Sequence, residues 1–143
     1  MTNQLKKTYF IFLLPSVLGF TLVGWVKFYD FIEIGSTNFI QMAGPLIFIL
    51  CIALAIAFPI FYRALFAHKN RDVISVSDEK LLKFERTLIN VVMITPYLAI
   101  AAYTLELPIF YTAGAILFSL YAVYYFYPSK RRLAFERRIF RVK

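Results

Sequence analysis

Residues 39–62 read FIQMAGPLIFILCIALAIAFPIFY, 24 positions with no Asp, Glu, Lys, Arg or His among them. A helix needs about 20 apolar residues to cross the hydrocarbon of a bilayer, so this stretch predicts a membrane span. Working outward, residues 9–26, 87–104 and 107–127 form three more apolar runs that approach or exceed that length. The whole chain of 143 residues is 61% hydrophobic, well above the roughly 45–50% of a soluble domain. Nearly all of it is spent on four crossings and short joints, which leaves no piece long enough for a separate soluble core. The expected fold is all-α: one integral membrane four-helix bundle over residues 1–143.

The four runs sort the charges. Of 16 Lys and Arg residues, Lys6 and Lys7 precede the first run, six lie in the 63–86 loop, and seven fall in the 128–143 tail. Lys27 alone is left on the opposite side, with Asp30, Glu33 and Glu106. Cytoplasmic loops carry the excess of Lys and Arg, so both termini are expected in the cytoplasm, most simply at a plasma (inner) membrane. The same sorting explains the net charge of +8 without a nucleic acid. A basic surface free of the membrane would be needed for that, and a tail containing Phe135 and Phe140 argues against it. The first run also imitates a secretory signal peptide, but it outlasts the usual apolar core of about 7–15 residues and Gly24-Trp25-Val26 is no small-residue cleavage site. It is read as a retained span.

Local signals refine this plan. Pro15 in the first span predicts a mild kink, and residues 27–38 mix aromatics with acids as an interfacial segment would. Ser36, Thr37 and Asn38 could cap the second helix, although Gly44-Pro45 offers a competing start. Pro59 predicts a bend near the inner end of that span, and residues 68–72 a solvated turn. Ser77, followed by Asp78 and Glu79, is a helix start, with Glu79 and Lys83 placed to pair. With no breaker between Asp78 and Thr95, the third helix should run unbroken into the membrane. The link 105–108 is so short that spans three and four must be antiparallel neighbours. Tyr121, Tyr124, Tyr125 and Tyr127 fit an inner aromatic belt.

After Pro128, an angular plot puts Lys130, Arg131, Arg137, Arg138 and Arg141 on one half of a helix and Leu133, Phe135, Ile139, Phe140 and Val142 largely on the other. Arg132 and Glu136 intrude on the apolar half, spaced as an i,i+4 pair. The expectation is an amphipathic helix lying on the inner leaflet. Pro59 with Arg63 and Pro128 with Arg132, together with Ala43-Gly44 and Ala113-Gly114, also suggest a weak repeat of one two-span hairpin in parallel orientation.

Chemistry is sparse. A charge at mid-membrane usually marks an ion path or relay, and none lies centrally in any run. His68 is the single histidine and Cys51 the single cysteine, so no metal site, no cofactor and no catalytic residue is assigned. Asn90, Thr95, Tyr97, Thr112 and Tyr121 are candidates for a polar path or for helix packing; Asn or Gln between helices serves more often as packing glue than as a substrate contact. Small residues at Ala53 and Ala57, Ala99 and Ala102, and Ala115 and Ser119 allow close helix approach. Arg63, Arg71, Arg86, Lys130, Arg131, Arg137, Arg138 and Arg141 are the candidate contacts for anionic lipid headgroups. The outer acids Asp30, Glu33 and Glu106 are read as solvated rather than as a cation site. The function expected is a non-catalytic accessory, scaffold or assembly subunit, partnered by membrane lipids and by other membrane subunits or its own copies. A small oligomeric transporter is the alternative. A lipid-modifying enzyme would need Arg63, His68, Asp72 or Asp78 to converge.

Overall fold

The computed structural model describes residues 2–29 and 38–142, with side chains from residue 42 onward in the second part. Asp30, Glu33, Ser36, Thr37 and Lys143, with most of the expected interfacial segment, lie outside the described residues. Among those described, the protein is all-helical. Helix α1 spans Thr2–Phe28, and α2, Asn38–Ile52, continues through a π-helical turn, Ala53–Ala57, into α3, Phe58–Lys69. Then come α4, Asp78–Val92, α5, Thr95–Thr104, α6, Ile109–Tyr125, and α7, Lys130–Ile139. Three stretches are long and apolar enough to cross a membrane: Thr2–Phe28, Met42–Lys69 and Asp78–Thr104. Ile109–Tyr125 makes a fourth when taken with Lys130–Ile139, from which it is bent by 79°. Its own 17 residues stand at the lower edge of the roughly 17–25 that span a bilayer.

The breaks follow the prolines. Pro59 has no N–H to give the Ala55 carbonyl and its ring crowds that turn. The helix responds one turn earlier by widening, so that the Phe58 N–H reaches the Ala53 carbonyl five residues back. This extra residue rotates the small-residue face. Ala55 is buried, Ala53 is half-buried and Ala57 is exposed, so the expected Ala53 and Ala57 pair does not form the packing surface. Pro96 acts in the same way on Val92, where α4 ends, and Met93–Ile94 interrupt the helix that was expected to be unbroken. Pro45, by contrast, is carried inside α2, which begins at Asn38 rather than at Gly44-Pro45.

Helix α3 carries the chain beyond the apolar run to Lys69. The turn expected at residues 68–72 follows directly after Lys69, with His68 and Lys69 in the last turn, where cations suit the negative end of a helix dipole. There the Asn70 side chain donates to the Phe66 carbonyl at 2.8 Å. The expected cap at Ser77 forms, its hydroxyl accepting from the Lys80 amide, and Glu79 pairs with Lys83 at 3.3 Å. Residues 105–108 close a tight turn in which Glu106 adopts a left-handed φ of 53°, and α5 and α6 pack side by side.

The interrupted helix α4–α5 is the hub, touching α1, α2, α3 and α6. Of its most apolar stretch 44% is buried, against 11% for α1, whose Ile11, Leu14, Leu18, Leu22 and Trp25 face outward. Where α2 and α6 cross, each offers a glycine to the other's aromatic ring. A Cβ on Gly44 would stand 2.7 Å from Tyr111 Cδ2, and one on Gly114 would enter the Phe48 ring. Cys51, Ala99, Ala102 and Ala115 fill the core beside that crossing. Leu5 and Tyr9 of α1 meet Ile89, Met93 and Leu133 at the other end. That end, which gathers the start of α1, the 70–77 connection and α7, holds most of the positive charge and is called the basic end.

Candidate functional site

At the basic end, four charged side chains from three helices leave the water together. Arg63 on α3 donates to Glu136 of α7 at 2.5 Å, and Arg132 of α7 donates to Glu85 of α4 at 2.6 Å. The Glu85 side chain is 0% exposed and that of Glu136 4%. Each guanidinium has a second anchor: Arg63 reaches the Tyr125 hydroxyl at 3.3 Å, and Arg132 the Phe126 carbonyl at 2.7 Å. Removing an ion from water costs several kcal/mol, and here two pairs with charge-assisted hydrogen bonds offset one another. Their satisfaction is incomplete, since Glu85 Oε1 and the Nε atoms of Arg63 and Arg132 are buried without partners.

Local sequence explains how α7 presents its two charges. Ser129 caps the helix by accepting from the Arg132 amide at 3.1 Å, after a 79° bend at Pro128. Arg132 and Glu136, one turn apart, then flank Leu133 on the same face, and Leu133 packs with Leu5, Tyr9, Ile89 and Met93. Beyond the helix, Phe140 stands edge-on to Phe66 at 4.9 Å, and Val142 bridges to Val76.

This arrangement corrects the expected division of the tail. The inward face is Arg132, Leu133, Glu136 and Phe140, whereas Phe135 and Ile139 are 62% and 52% exposed. The two charges that seemed to intrude are what docks the helix, and they bond to Glu85 and Arg63 rather than to each other. Of the eight expected headgroup contacts, Arg71, Arg86, Lys130, Arg131, Arg137, Arg138 and Arg141 are exposed. Arg137 also pairs with Asp78 at 2.9 Å. Arg63 is instead drawn into the buried cluster.

The five residues of the suggested polar path take separate partners. Tyr97 donates its hydroxyl to the Phe12 carbonyl of α1 at 2.7 Å, which ties two helices together. Thr112 donates to the Leu107 carbonyl at 3.1 Å, and Tyr121 stacks on Tyr125 at 5.3 Å. Asn90 Oδ1 and Thr95 Oγ1 are buried with no hydrogen-bond partner, on either side of the break at Met93–Ile94. None of the five bonds to another. The four residues an interfacial enzyme would need are also apart in their pairing: Arg63 with Glu136, Asp78 with Arg137, and His68 and Asp72 exposed.

On the opposite end, Lys27 binds Glu106 at 3.1 Å and the Tyr103 carbonyl at 2.6 Å, with its ammonium over the Tyr103 ring. Lys27 thus fastens α1 to the α5–α6 link. Among the described residues, no group of three or more His, Cys, Asp or Glu side chains is placed to hold a metal ion.

Glu85 was absent from the residues singled out by sequence, yet its position carried a signal. It stands four residues from both Leu81 and Ile89 and three from Leu88, all fully buried, so an apolar stripe runs through it. A carboxylate on such a stripe needs a partner from elsewhere. Comparison of the chain with models of protein families, with curated proteins and with solved structures finds no match in any of the three.

Proposed function

We propose that the chain crosses a cell membrane, most simply the plasma (inner) membrane, four times as a single helical bundle, with both termini in the cytoplasm. In this reading it is a non-catalytic accessory or assembly subunit that presents a rigid, basic, lipid-contacting cytoplasmic face. The observation that carries it is the buried Arg63–Glu136 and Arg132–Glu85 cluster. Those charges are spent on one another, fixing α7 across the ends of α3 and α4. The cations left exposed form a surface, and surfaces of this kind suit anionic headgroups, each nearby Lys or Arg adding about 1 kcal/mol. Phe135 and Ile139, exposed beside Arg131 and Arg138, make α7 an amphipathic element that would touch the inner leaflet. The outward apolar faces of α1 and α2 remain available to lipid, other subunits or further copies.

A transporter is the second reading. It is favoured by one observation, the unpartnered oxygens of Asn90 and Thr95 beside the helix break, because irregular backbone at membrane depth belongs where it is buried in protein or lines a cavity. Purification from intact membranes with mass spectrometry of the co-isolated species separates the two. A stoichiometric foreign subunit is the expected result. A homogeneous homo-oligomer whose solute flux is abolished by Asn90→Ala, with assembly intact, would replace the accessory role by transport.

A further inference from the structure

We propose that the groove between α3 and α4 at the basic end holds a single anionic phospholipid, its phosphate on lysines and its acyl chain on an aromatic floor. This rests on the orientation and lipid contact argued above and names the place where that contact is specific. The groove has a volume of about 530 Å³. Its floor is a ring stack in which Phe84 lies 5.1 Å from Tyr62 and 4.2 Å from Phe66. Leu65 forms one wall, and Lys69, Lys80 and Lys83 stand around the opening with no carboxylate among the lining residues, although Lys83 pairs with Glu79 just outside it.

The order of these residues along the helices is what favours a lipid over a soluble anion. Because α3 and α4 run antiparallel, Lys69 and Lys80 lie at the level of the connecting loop, and Tyr62 and Thr87 lie seven residues deeper on their helices. At 1.5 Å per residue that is roughly 10 Å of depth. Charge therefore sits at the loop end and apolar surface toward the membrane, the polarity of a phospholipid in the inner leaflet. Two of the uncharged polar groups in the groove are already engaged: Asn70 donates to the Phe66 carbonyl and Thr87 to the Lys83 carbonyl. Lys69 and Lys80 make no ion pair among the described residues, so their charge is free for a ligand. The neighbouring cleft along α7 differs in degree: it carries the carboxylate of Glu136, its Arg63 and Arg132 are bound to Glu136 and Glu85, and Arg131 alone of its cations is left unpaired among the described residues.

The test uses the full chain with Trp25→Phe and Leu65→Trp, reconstituted in phosphatidylcholine vesicles and titrated with brominated phosphatidylglycerol. Quenching of the new tryptophan should saturate at a low fraction of the brominated anionic lipid. Brominated phosphatidylcholine should quench only in proportion to its share. Lys80→Gln should raise the half-saturating fraction about five-fold, and the combined Lys69→Gln, Lys80→Gln, Lys83→Gln variant should abolish the preference, whereas Lys7→Gln should leave it unchanged. All three lysines are exposed, and unchanged circular dichroism would show that the fold is kept. If the preference survived the triple change and vanished with Arg131→Gln, Arg138→Gln and Arg141→Gln, the groove assignment would fail while the lipid-contacting face stood. Equal quenching by both lipids in the parent would overturn both. Displacement of the brominated lipid by soluble glycerol phosphate would overturn the lipid in favour of a free anion.

Discussion

Glu85 and Arg132 show at the scale of single residues how a chain with few membrane charges uses the ones it has. Breaking a buried pair by removing one partner leaves an uncompensated charge and costs about 3–5 kcal/mol, whereas replacing both with apolar groups is often neutral. Glu85→Ala should therefore lower unfolding stability in detergent by about that amount, and Glu85→Leu with Arg132→Met should recover most of it. Similar losses for the single and double variants would show that the pair does not hold α7 in place. Tyr97 makes the same argument more quietly. Its hydroxyl joins α5 to α1 through the Phe12 carbonyl, so Tyr97→Phe should cost about 1 kcal/mol, the net worth of one hydrogen bond. Flux measurements on that variant distinguish glue from path, since a lost bond alone predicts no selective transport defect.

Among the elements, the caps and the short link were the easiest to foresee, because each depends on neighbours within a few residues. Ser77 starts α4 and residues 105–108 set α5 against α6 as their spacing required. The π-helical turn and the break at Met93–Ile94 were harder. Pro59 pointed to a bend, but whether a helix answers a proline by bending, widening or breaking depends on what packs around it. The Gly44 and Gly114 crossing was likewise hidden, since Tyr111 and Phe48 come from the opposite helix. Gly114→Ala should destabilise by about 1–3 kcal/mol, the usual cost of overpacking, because the new methyl would enter the Phe48 ring. Gly24→Ala, with nothing within 4 Å of its added Cβ, should be neutral or slightly stabilising. Equal thermal midpoints for the two variants would mean that α2 and α6 do not cross so closely.

At the scale of the whole molecule, hydropathy and the placement of 15 of 16 basic residues were enough to expect an all-helical membrane protein. The site was less legible. Arg63 and Glu136 are 73 residues apart in the chain, and only the folded arrangement of α3, α4 and α7 turns two apparent misfits in the tail into its anchor. The orientation of that arrangement in the membrane underlies both the accessory role and the lipid groove. It can be read by single-cysteine labelling in a Cys51→Ser background, with cysteine placed at Glu106 or at Arg138 and a membrane-impermeant maleimide applied to intact cells. Both positions are exposed. The account predicts labelling of the Glu106 variant in intact cells and of the Arg138 variant only after permeabilisation. Labelling of the Arg138 variant in intact cells would contradict it.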